Sequence, residues 1–226
     1  MMLLKHKRMT LITIMLMLSS VILFYGLLYM KEQPGGFSDW RISRTMGLEG
    51  TIRIPLGKSP EDAIEQFRGP STMRVIHHEP VRGGTLLFMD RDGKEDSSNL
   101  QIEYVRKTWF GWKWAWGGGY GMSKSPQSAL NYMIMPRPDH ISDTFPIVFG
   151  NILDPSVTSI AIQSKGGGHY NAELAAVGSG KRIWFAFLPS STFTPFDIEA
   201  FDEQGELIAE QTVTDPNDGG SIDVRN

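Results

Sequence analysis

The sequence predicts a mainly β chain of the α+β type: an N-terminal transmembrane helix, then a small antiparallel sheet with one short helix, then an immunoglobulin-like β-sandwich. Three observations carry this. Residues 9–30, MTLITIMLMLSSVILFYGLLYM, form a run of 22 without a charge, which as a helix would span about 33 Å and so cross the hydrocarbon core. The remainder breaks into short alternating or apolar segments punctuated by Gly, Pro, Asn and Asp. A single segment, beginning at Ser59, carries a complete set of helix start and stop signals.

The apolar run is too long for the core of a cleaved signal peptide, and it ends Leu27-Leu28-Tyr29-Met30-Lys31-Glu32 with no small-x-small cleavage pattern. Tyr25 and Tyr29 stand where an interfacial aromatic belt falls. Lys5, Lys7 and Arg8 lie directly against the run and favour a cytoplasmic tail (1–8), with everything after the span on the far side.

The chain has no cysteine, which excludes disulfides and thiolate chemistry and is compatible with export. Charge is uneven: residues 31–153 hold 15 Lys and Arg against 14 Asp and Glu, whereas residues 154–226 hold 4 against 11. An acidic C-terminal half argues against nucleic acid as a partner.

In order, Gln33-Pro34-Gly35-Gly36 breaks the helix just beyond the bilayer, and residues 31–50 form a connector, with Trp40 placed either at the lipid surface or on the body. A β-branched alternation over 51–55 reads as a strand. Ser59 can cap a helix over 59–67, Pro60 suits its first position, Asp62 stands in its first turn, and Gly69-Pro70 ends it. Ala63, Ile64 and Phe67 share the face that leans on a sheet.

Strands over 73–79, 85–90 and 99–108 form a meander. In the third, Leu100, Ile102 and Tyr104 face the core while Gln101 and Glu103 face water. Trp109-Phe110-Gly111-Trp112-Lys113-Trp114-Ala115-Trp116 follows, then Gly117-Gly118-Gly119-Tyr120. Read as a strand, this stretch puts Phe110, Trp112, Trp114 and Trp116 in one row on the same face. That row is read first as core over the helix at 59–67. The alternative is an exposed stacking platform, with Trp112, Trp114, Trp116 and Tyr120 as binding residues for a sugar, peptide or lipid surface.

Residues 130–135 read as an edge strand closing a first unit (51–136), and 137–145 as a linker. Strands over 147–152, 157–163, 172–177, 182–188, 196–201 and 207–213 compose the sandwich (146–214), with Glu203-Gln204-Gly205 a hairpin connection and 215–226 a flexible tail.

Catalytic and metal signals are sparse. Gly178-Ser179-Gly180-Lys181 lacks the spacing of a phosphate loop and reads as a turn, as does Asp90-Arg91-Asp92-Gly93 when compared with a calcium loop. Adjacent His77 and His78 point to opposite faces and cannot chelate together. His140 and His169 remain candidates for a Ser-His-Asp arrangement assembled from distant positions. No cofactor is implied. In general pattern the chain resembles envelope proteins of Gram-positive bacteria, a resemblance of architecture that assigns no residue roles. The expectation is a single-pass protein held in the lipid bilayer through residues 9–30, binding or scaffolding an envelope protein or cell-wall polymer. The alternative is an envelope hydrolase.

Overall fold

A computed structural model describes residues 2–70, 72–91, 97–123, 126–138, 144–178, 180–192 and 194–225. Of the expected linker, residues 139–143 lie outside the described residues, His140 among them, as do Ser179 and the turn residues 92–96.

Helix α1 (Met2–Glu32) is long and apolar enough to cross a bilayer, and its apolar side chains from Met9 to Met30 are largely exposed. The connector contains a helix that the sequence reading left without structure, α2 (Phe37–Thr45). Strand β1 is short, Leu56–Gly57, and α3 runs Pro60–Arg68 as expected: Ser59 Oγ accepts from Asp62 N, and Gly69 ends the helix at φ 81°.

Residues 51–55 are not a strand. Their backbone donors turn to side chains of α2, Ile52 N to Ser43 Oγ at 2.9 Å and Ile54 N to Asp39 Oδ2 at 2.9 Å, and Pro55 has no N–H to offer a ladder.

The rest is antiparallel sheet in three layers. The first sheet orders β1 with β2 (Met73–Val81), β3 (Gly84–Arg91), β4 (Ser97–Thr108) and β5 (Gly111–Ser123) as β1-β5-β4-β3-β2. The remaining strands in chain order are β6 (Ser128–Met135), β7 (Ile147–Ile152), β8 (Ser159–Ser164), β9 (His169–Asn171), β10 (Glu173–Ala176), β11 (Arg182–Phe187), β12 (Phe196–Phe201), β13 (Leu207–Val213) and β14 (Gly219–Asp223). They build a second sheet, β10-β11-β7-β6-β14, and a third, β13-β12-β8-β9.

The second sheet is the middle layer, and its side chains alternate between two cores. Leu130, Tyr132, Ile134, Val148, Trp184 and Ala186 point into a core shared with Ile160, Ile162, Ile198, Ala200 and Val213 of the third sheet. Met135, Ile147, Phe149, Ile183 and Phe185 point the other way, onto Leu86, Phe88, Leu100 and Ile102 of the first. Burial on both faces explains why β7 and β11 read as continuous apolar runs and not as alternations. A third core, with Ile54, Ala63, Ile64, Leu87, Val105 and Trp114, lies between the first sheet and the helices.

Several expectations change accordingly. Strand β6 is no edge of the first sheet: it lies between β14 and β7. The tail contributes β14, whose Ile222 is buried, with Ser128 Oγ donating to Asp223 Oδ1 at 2.8 Å and Tyr132 OH to Asp218 Oδ2 at 2.8 Å. The outer face of β4 is not wet, because α3 covers it and Glu103 is fully buried. The second and third sheets face each other over one apolar core, but the second draws β6 and β14 from outside residues 146–214 and packs its other side on the first sheet.

Gly150 shows how tightly the middle layer is packed. A Cβ there would meet Asn131 O at 1.8 Å and Trp184 Nε1 at 2.7 Å, where the indole donates to that same carbonyl at 3.0 Å. Gly150→Ala is expected to lower unfolding stability by roughly 1–3 kcal/mol or more through overpacking, read as a lower denaturant midpoint; an unchanged midpoint would show that the layer can move apart.

Candidate functional site

The most heavily built polar region lies where α1 meets the first sheet. Helix α1 ends with unpaired carbonyls and the negative end of its dipole. The Lys113 ammonium, from the middle of the aromatic strand, sits there: Nζ is 2.7 Å from Glu32 O, 3.4 Å from Gln33 O and 2.6 Å from Asp39 Oδ1. Two backbone carbonyls accept from the buried ammonium and the Asp39 carboxylate balances its charge as an ion pair. Neither Lys113 nor Asp39 exposes any side-chain surface.

The chain reverses between α1 and α2 through Pro34-Gly35-Gly36. Gly35 adopts φ 82°, and a Cβ at Gly36 would lie 2.4 Å from Met30 O, so the turn admits glycine at both positions. The reversal delivers Asp39, in the first turn of α2, back to the helix end. Its Oδ2 accepts from Gly35 N at 2.7 Å and from Ile54 N at 2.9 Å, so one carboxylate fastens the turn, the 51–55 segment and the sheet.

A second pair lies beside the first. Arg106 of β4 grips Glu32 in bidentate fashion, Nη1 to Oε1 at 3.0 Å and Nη2 to Oε2 at 2.5 Å, and Ser38 Oγ stands 3.0 Å from the same carboxylate. Burial works against ionisation of Glu32, but the Arg106 and Ser38 hydrogen bonds and the neighbouring cations outweigh it and hold the carboxyl below its usual range. Burial pushes Lys113 below the ordinary lysine range, opposed by Asp39 and Glu32.

Away from this junction another buried carboxyl, Glu103, faces α3. Arg68 approaches it with Nε at 2.7 Å from Oε1 and Nη2 at 3.1 Å from Oε2, and the side chains of Gln101 and Trp114 also donate to it. Burial raises the carboxyl despite these partners. Gly117 makes room for it, since a Cβ there would overlap Glu103 Oε2. The glycine run thus continues β5 over a buried carboxyl group.

The aromatic row is divided. Tyr104 pairs with Trp116 and Val105 with Trp114, so Ala115 is an extra residue in β5, and this bulge turns Trp116 to the opposite face. Trp114 is buried, stacked on Phe67 at 4.3 Å between centroids, with the Arg68 guanidinium 5.2 Å from its ring. Trp112 is half-buried on the same side, under Lys107 Nζ at 5.6 Å. Trp116 packs with the core between the first and second sheets, and its buried indole N–H has no partner among the described residues. Tyr120 OH donates to Asn131 Oδ1 at 2.5 Å, tying the first sheet to the second. The four candidate binding residues do not share one surface.

His77 lies against Phe88 and Phe185, while His78 is 3.3 Å from Glu61 of α3, so the two do take opposite faces. Among the described residues no three His, Asp or Glu side chains gather to hold a metal. His169 contacts Gln163 and Asn171, both at 3.1 Å and both neutral amides. Lys181 closes the 178–181 turn and pairs with Asp90 at 2.6 Å.

The junction residues Glu32, Asp39, Arg106 and Lys113 escaped the sequence reading. The legible signal was a lysine in the middle of a tryptophan run, where a purely solvating charge has no place.

Asp39→Asn leaves Lys113 buried without a counter-charge and is expected to cost about 3–5 kcal/mol of stability, much of it recovered in the double variant with Lys113→Met; additive losses in the double variant would show the two side chains to be uncoupled. Because the Glu32 pKa is lower in the folded state, its contribution is complete above the ordinary glutamate range and is lost as pH falls through the folded value. An aromatic-directed protease should therefore cut at Phe37, just past the 33–36 turn, faster below the ordinary glutamate range than at neutrality once corrected for protease activity, and Glu32→Gln should flatten that dependence. With this geometry in view, no protein-family model, no curated protein and no solved structure matches the chain.

Proposed function

We propose that the chain is a single-pass membrane protein whose β-built body lies outside the cytoplasm and acts as a non-enzymatic binding or scaffolding part of a bacterial cell envelope. The observation that supports this is the junction itself. The body is not hung from the bilayer on a loose linker: Glu32, Asp39, Arg106 and Lys113 fuse the end of an exposed apolar helix to the first sheet. Sheets fixed at one angle to the helix suit a part that presents a surface at a set height above the membrane, where an envelope protein or wall polymer meets it. The basic residues Lys5, Lys7 and Arg8 favour the orientation with the tail inside. The finer reading of the second and third sheets as immunoglobulin-like rests on two antiparallel sheets closing over one apolar core.

Protease added to spheroplasts should digest the body and leave a membrane-embedded fragment containing α1; complete protection would reverse the orientation. Purified full-length chain should co-sediment with envelope fractions without turning over ester or glycan substrates. Product release abolished by His169→Ala would replace the scaffold with a hydrolase.

A further inference from the structure

The turn between β4 and β5 is two aromatic residues long and rigid. Thr108 Oγ1 donates to Gly111 O at 2.9 Å and accepts from Phe110 N at 3.1 Å, and Gly111 takes φ 136°, a conformation that disfavours side chains. The turn holds Trp109 and Phe110 outward, and Trp109 is 74% exposed. A tight, hydrogen-bonded turn gains nothing in stability from a tryptophan in water.

Its position supplies the reason. The Phe110 ring meets the Tyr29 ring edge-on at 5.8 Å, and Tyr29 is the penultimate residue of the uncharged run. The tip therefore stands at the depth where α1 leaves the hydrocarbon. Helix α2 returns to the same level, since Gly36 abuts Met30 O, and there it stacks Phe37 on Trp40 at 5.4 Å, both exposed. Lys107, exposed just below the tip, and Lys31, about half-exposed, supply cations at phosphate depth. Aromatic rings with cations a few ångströms outward are the composition of an interfacial belt.

We propose that Trp109 and Phe110, with Phe37 and Trp40, insert into the interfacial zone of the bilayer that α1 crosses, so that the first sheet stands against the membrane on a second foothold beside α1. The occupant is lipid: these rings are continuous with the lipid-facing surface of α1, and the buried ion pairs forbid the body from swinging them away. The proposal rests on α1 being a membrane anchor.

The absence of native cysteine makes the test direct. Full-length chains carrying a single nitroxide at Trp109→Cys, Leu23→Cys or Glu203→Cys are reconstituted into vesicles of phosphatidylethanolamine and phosphatidylglycerol. Collision rates with oxygen, which concentrates in lipid, and with a water-soluble nickel chelate are compared. The expected oxygen-to-nickel ratio is highest at 23, lowest at 203 on the remote β12–β13 turn, and at 109 several-fold above 203. A ratio at 109 equal to that at 203, with 23 still lipid-like, overturns the foothold and leaves the anchor standing. A water-like ratio at 23 overturns both. Shielding of 109 from both reagents overturns the foothold in favour of contact with a second copy of the chain.

Discussion

The contact between Lys113 and the end of α1 is the constraint on which the architecture depends. A buried ammonium without acceptors would be untenable, and one with only a carboxylate would still leave protons unmet. Here the helix end provides carbonyls that need a donor, the ammonium provides the donor, and Asp39 balances the charge. Each group answers a deficit in another, so the helix, the glycine reversal and strand β5 have one mutual arrangement. Arg106 and Glu32 repeat the logic one strand away. The energetic yield of such pairs over apolar packing is small or negative; what they supply is a unique geometry, since every misaligned arrangement strands a charge.

What was legible in the sequence was local. Ser59, Pro60 and Gly69 fix α3 through interactions within a few residues, and they are where the signals put them. Strands β7, β12 and β13 have the bounds that turn residues and apolar runs imply, and β12 shows the strict alternation of a strand with one face out. Less legible was everything decided by partners far along the chain. Strand β6 looks like an edge because Pro136 and Pro138 follow it, and only the arrival of β14 from the tail makes it internal. Ala115 carries no mark of a bulge, yet one extra residue separates Trp114 from Trp116 and dissolves the aromatic row. Glu103 looks like a solvent-facing residue by period, and only the Arg68 side chain from α3 shows why it can be buried.

The buried glutamates Glu32 and Glu103 illustrate how one residue type takes opposite characters by surroundings. Glu32 has a bidentate arginine, a serine and a nearby lysine, and its charge is favoured. Glu103 has an arginine that is partly exposed to water and otherwise neutral donors, and burial dominates. The first therefore behaves as part of a fixed joint, while the second fills a polar notch in an otherwise apolar interface between α3 and the sheet.

The placement of β14 has a consequence for how the chain comes into being. Synthesis proceeds from the N-terminus, and every other strand of the middle sheet precedes residues 219–223. Until residues 219–223 are made, β6 presents an open rim of unpaired amides and carbonyls with apolar residues on both sides, the kind of rim that recruits foreign strands. The passage from ribosome to folded sheet thus includes an interval in which β6 is bare on one flank.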